Sequence, residues 1–67
     1  MKTWSLAAAR KNAQLTQREA AKRLEISPLT LARYEKGERE PSVSMAFRLC
    51  KLYDCDFALL FTPEKTN

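Results

Sequence analysis

Residues 16–37 read TQREAAKRLEISPLTLARYEKG, and two helix starts lie inside them, about eleven residues apart. The first is Thr16 with Glu19, spaced as a capping box: the Thr hydroxyl accepts the N–H three residues on, and the Glu carboxylate accepts the N–H of the cap residue. The second is Ser27 followed by Pro28. Serine is a favoured N-cap, and proline at the first helical position has its φ preset and no amide hydrogen to leave unpaired. That second helix ends at Gly37, the residue type best suited to a left-handed C-terminal turn. Only Glu25, Ile26 and Ser27 separate helices over about 17–24 and 28–36, which is the spacing of a helix-turn-helix.

The flanks extend the helical pattern. A helix from Thr3 or Ser5 to about Asn12 places Leu6, Ala9 and Ala13 on one inner stripe, with Trp4 covering an edge of the core. In the central pair, Ala20, Ala21 and Leu24 face inward, and the two alanines let helix axes approach closely. Leu31 and Tyr34 face the interior with Ile26 in the turn, while Leu29, Thr30 and Arg33 fall on the opposite side. Pro41 discourages helix at Glu40, and Ser42 caps a helix over about 43–53 whose apolar set is Val43, Ala46, Leu49, Cys50 and Tyr53. Arg48 and Lys51 point to water, Asp54 tolerates the closing left-handed turn, and Asp56 caps a short last helix over 57–61. The expectation is an all-α, compact five-helix bundle: a single domain over 1–62 with a frayed tail at 63–67.

Composition narrows the function classes. With 67 residues the chain has room for one small core, and enclosing a substrate pocket with converging catalytic groups would be hard. It contains no histidine, no nucleophile beside a base and no phosphate-cradling glycine loop, so an enzyme is not expected. Cys50 and Cys55 match neither a zinc site nor a redox pair and read as reduced core residues; no metal or cofactor is expected. No apolar run approaches the roughly 20 residues of a membrane helix, and a cytoplasmic protein is expected. Lys and Arg number 12 against 8 Asp and Glu, and the excess lies on the two-helix unit, which suits a polyanionic partner.

Several separated features together carry a family resemblance: Arg10 before the first turn, Leu15-Thr16-Gln17 with Glu19 and Ala21, Ile26-Ser27, Tyr34-Glu35 with Gly37, Pro41-Ser42, Leu49-Cys50, and Asp56-Phe57 with Leu60. In this the sequence resembles the phage repressor and Cro class of helix-turn-helix regulators, the XRE family, over about residues 6–60. The resemblance implies a lambda repressor-like DNA-binding bundle whose third helix reads bases in the major groove of double-stranded DNA. It assigns base reading to Pro28, Leu29, Thr30 and Arg33, and phosphate contact to Arg10, Gln17, Ser27, Lys36 and Arg39. It also implies an Arg10–Glu35 salt bridge that fixes the tilt of the reading helix. Pro28 and Leu29 lack donors and suit thymine methyls, whereas the planar fork of Arg33 suits guanine. Lys22 and Arg23 are expected on a solvated face.

Two positions depart from the family pattern. Gln14 stands where the family often has glycine, and Ala20 stands where it often has leucine, a loss of volume for Tyr34, Trp4 or Phe47 to make up. The apolar run over 57–61 exceeds what its own bundle can bury, which points to Phe57, Leu60 and Phe61 as a homodimer interface. The implied function is a transcriptional regulator, acting as a repressor on a pseudo-palindromic operator. A restriction-modification controller or an antitoxin would use the same bundle, and a protein-interaction module without DNA readout is the alternative of another class.

Overall fold

In the computed structural model, described over residues 5–57 and at residue 60, four helices follow one another: α1 (Leu6–Asn12), α2 (Gln17–Leu24), α3 (Pro28–Lys36) and α4 (Val43–Tyr53). Each N-cap is a hydroxyl residue doing the expected chemistry. Ser5, Thr16, Ser27 and Ser42 accept the N–H of Ala8, Glu19, Thr30 and Met45 respectively, at 3.0–3.1 Å. The capping box is closed from the other side as well, because the Thr16 N–H donates to Glu19 Oε1 at 2.9 Å. Among the described residues there is no fifth helix of the expected extent. Phe57 and Leu60 have helical backbone, while Ala58, Leu59 and Phe61 of that segment, together with Trp4 and the tail, lie outside the described residues.

Ala9, Ala20, Ala21, Leu24, Leu31, Leu49 and Tyr53 form the buried core. The close pairing is α2 against α3, with α4 closing over α2 and α1. Ala20 and Ala21 are both fully buried, and no large side chain separates the two backbones at the motif's crossing. Leu6, Ala13, Leu15, Ile26, Tyr34, Met45, Leu52, Cys55 and Leu60 pack partly buried around this centre.

Two expectations about the core are corrected. Val43, placed inward by the periodicity, is 69% exposed: it is the first residue of α4, where the chain is still entering the bundle. Phe47 does not replace the volume missing at Ala20. It is 56% exposed and stacks instead on Phe57, with ring centroids 4.7 Å apart.

Among the described residues, three that are not glycine close turns in the left-handed conformation, Gln14 (φ 62°), Glu25 (φ 62°) and Asp54 (φ 55°), alongside Gly37 (φ 77°). Gln14 therefore takes the conformation that glycine would provide without strain, so the turn is made at a local cost. Gln14→Gly removes that strain but enlarges the entropy of the unfolded chain. The balance is expected to stabilise the fold by about 0.5 kcal/mol, visible as a rise of ~2–4 °C in the thermal midpoint.

Candidate nucleic-acid interface

The centre of the site is a polar hub beneath the N-terminus of α2. Arg10 on α1 donates from Nε to Glu35 Oε2 at 2.8 Å and from Nη2 to Glu35 Oε1 at 3.3 Å, the two-pronged geometry that suits a guanidinium and a carboxylate. The side chains are only 11% and 7% exposed. A third donor, Arg10 Nη1, reaches the Leu15 carbonyl at 3.0 Å and so ties down the turn that Gln14 makes. The hydrogen bond that Arg10 donates to Glu35 raises the Arg10 pKa against the opposing effect of burial, and the guanidinium stays charged throughout the working range.

Gln17, the first residue of α2, donates from Nε2 to Glu35 Oε1 at 2.9 Å. Glu35 thus joins α1, α2 and α3 through one carboxylate. The resemblance implied only the Arg10 arm; the Gln17 arm follows from how closely α2 and α3 approach, which no local motif spells out. Arg10 is 9% exposed, and its guanidinium faces Glu35 and a backbone carbonyl. Half-buried Gln17 keeps its carbonyl oxygen and a second amide hydrogen for other partners.

Tyr53 lies against the same region. It is 3% exposed, and its hydroxyl has no hydrogen-bond partner among the described residues. Burial, reinforced by the Glu35 charge, pushes its pKa up to about 12 from the usual 10. The protonated form is favoured by folding, so the associated stability is intact below pH 10 and drains away as pH rises through about 12. Tyr53→Phe should therefore be near neutral at pH 7, since it deletes a hydroxyl with no partner among the described residues. It should also flatten the alkaline loss of stability by roughly 2 kcal/mol in denaturant titrations at pH 7 and pH 11.5.

From this base α3 presents its outer face. Ser27 accepts the Thr30 N–H and donates its own hydroxyl to Thr30 Oγ1 at 3.0 Å, which locks the first turn. Pro28 and Arg33 are exposed, Leu29 is 62% exposed and Thr30 is half-buried, with Leu31 on the reverse side fully buried as the anchor. Leu29 and Arg33 are four residues apart and so lie on one face. Lys36 and Arg39, on either side of Gly37, are exposed, as are Lys22 and Arg23 on α2.

Of the three residues expected at a dimer interface, Leu60 packs on the core and Phe57 stacks on Phe47, while Phe61 lies outside the described residues. Cys50 is buried and Cys55 partly so, both as free thiols whose pKa burial raises, which keeps them protonated and unreactive. Among the described residues no helix is long and apolar enough to cross a membrane.

Comparison with known proteins agrees with this geometry. The sequence model of the Helix-turn-helix family matches residues 6–60. The HTH-type transcriptional regulator DicA of Escherichia coli (strain K12) is 41% identical over 46 residues, 69% of this chain and 34% of that protein. The Uncharacterized HTH-type transcriptional regulator MJ0272 of Methanocaldococcus jannaschii is 36% identical over 50 residues, 75% of this chain and 76% of that protein. The chain thus spans about a third of the length of the first relative and about three quarters of the second. No solved structure matches. By its capped α2–α3 unit, and by a family match that runs nearly its whole length, the chain belongs to the XRE-type helix-turn-helix family.

Proposed function

We propose that this protein is a sequence-specific regulator of transcription that binds double-stranded DNA as a homodimer and represses by occupying an operator. The observation that carries the reading is the joint outward projection of Leu29 and Arg33 from a short helix whose back is pinned by Leu31 and whose end is held by the Arg10–Glu35–Gln17 hub. A helix presented in this way fits the major groove, where Arg33 pairs with a guanine edge, Pro28 and Leu29 meet thymine methyls, and Thr30 bonds either kind of base. Gln17, Ser27, Lys36 and Arg39 contact phosphates, and Gln17 does so from the N-terminus of α2, where backbone N–H groups favour anions. Occupancy, not catalysis, is the mechanism.

The dimer places two copies of α3 about 34–36 Å apart, one turn of DNA. Phe57, Leu60 and Phe61 remain the proposed contact, and exposed Phe47, stacked on Phe57, extends it. Selection from random duplexes tests both parts. The expected product is a pseudo-palindrome with half-sites about 10 base pairs apart. Arg33→Ala should relax one position per half-site, by about 1–3 kcal/mol, whereas Gln17→Ala should weaken all sequences alike. Absence of any enriched sequence would overturn the reading.

A further inference from the structure

Beside the reading face lies a surface groove of about 430 Å³, lined by Arg18, Glu19, Lys22, Ile26 and Pro28. Its volume falls in the range of ~300–1,000 Å³ typical of clefts that hold ligands. The surface it offers is overwhelmingly apolar, with Ile26 half-buried in the motif's turn and Pro28 at the start of α3. Its cations are arranged on the rim. Arg18 and Lys22 are four residues apart on α2, so they share one face; both are exposed, and neither makes an ion pair among the described residues. Glu19, the one carboxylate present, is turned back to the N-cap, where its Oε1 accepts the Thr16 N–H, and its charge leaves the rim net positive by one. The groove therefore combines an apolar floor with two cations that make no ion pair among the described residues and a net positive rim.

We propose that this groove is a docking site for an acidic amphipathic segment of another protein, a helix that lays an aliphatic side chain over Ile26 and Pro28 and sets carboxylates against Arg18 and Lys22. The pairing of a floor and a rim is what separates this occupant from DNA. A phosphate backbone would satisfy the two cations but has little apolar surface to bury on Ile26, whereas an uncharged apolar helix would leave the cations unanswered. Pro28 belongs to both the groove and the proposed reading helix, so a segment seated there competes with a bound duplex for that side chain and opposes occupancy of the operator. The docking itself does not depend on α3 reading DNA, and the test is made first without DNA.

The experiment titrates the isotope-labelled full chain by nuclear magnetic resonance with a capped helical peptide carrying Leu at i and i+4 flanked by Asp and Glu. The control is the same peptide with Lys in place of every acid. The expected result is saturable shifts at Arg18, Lys22 and the Ile26 methyls, with a dissociation constant of about 100 µM. They should weaken at least ~10-fold in Arg18→Glu/Lys22→Glu, whose two sites are exposed and whose fold is checked by circular dichroism. Equal binding of the lysine peptide, shifts centred elsewhere, or no saturable shift at all would overturn the proposal. So would a groove that responds only to an added duplex, which would make it part of the DNA interface. Because the peptide arm contains no DNA, its failure leaves the operator selection untouched.

Discussion

Glu35→Ala is expected to destabilise the protein by about 3 kcal/mol, a large fraction of what a domain of this size normally has in reserve. The loss is not that of one salt bridge. Removing the carboxylate strands the Arg10 guanidinium, which is 11% exposed at its side chain, without its two-pronged partner, and it frees the Gln17 amide as well. A buried charge without a partner costs more than the pair ever contributed. The companion variant Arg10→Met/Glu35→Leu separates the two quantities. Replacing both members with apolar groups of similar volume should recover most of the stability in urea titrations, yet operator binding should stay impaired, because Gln17 is no longer held and α3 is no longer fixed to α1. If the double variant bound DNA as well as the native chain, the hub would be a stability device alone.

Leu31→Ala is expected to cost about 3 kcal/mol or more, within the ~2–5 kcal/mol range for emptying a fully buried leucine site. Leu31 has no exposed surface and is the sole fully buried residue of α3, so it is the main apolar tie between the reading helix and the core. Lost transfer energy and the cavity left in the core add together. A chain of 67 residues has few other contacts through which to collapse around that void. The measurement is the midpoint of thermal unfolding, with a fall of more than about 12 °C expected. Leu29→Ala on the opposite face of the same helix is the control. Leu29 is 62% exposed, so its truncation should leave the midpoint within about 2 °C.

The boundaries of the four helices were legible because each is set by contacts within four residues of itself. Serine or threonine caps at Ser5, Thr16, Ser27 and Ser42, proline at Pro28 and glycine at Gly37 act on their neighbours whatever the rest of the chain does. The same holds for the division of α3 into a buried face at Leu31 and an outer face at Leu29 and Arg33, a direct consequence of 3.6 residues per turn. Other features answer to no local rule. Val43 satisfies the helical period yet faces solvent, and Phe47 turns outward to Phe57, because whether an apolar position is covered depends on which helix passes over it.

Tertiary structure also decided the chemistry of the hub. Glu35 meets Arg10, 25 positions earlier in the chain, and Gln17, 18 positions earlier, because three helix axes converge there. That convergence made Arg10 a buried strut and set beside it the Tyr53 hydroxyl, which has no hydrogen-bond partner among the described residues. The sequence by itself determined where helices begin and end and which side chains share a face, since those are short-range properties of the backbone. Only the packed bundle determined which of those side chains are covered and which polar groups meet, because burial and long-range hydrogen bonding exist only once the helices have closed on one another.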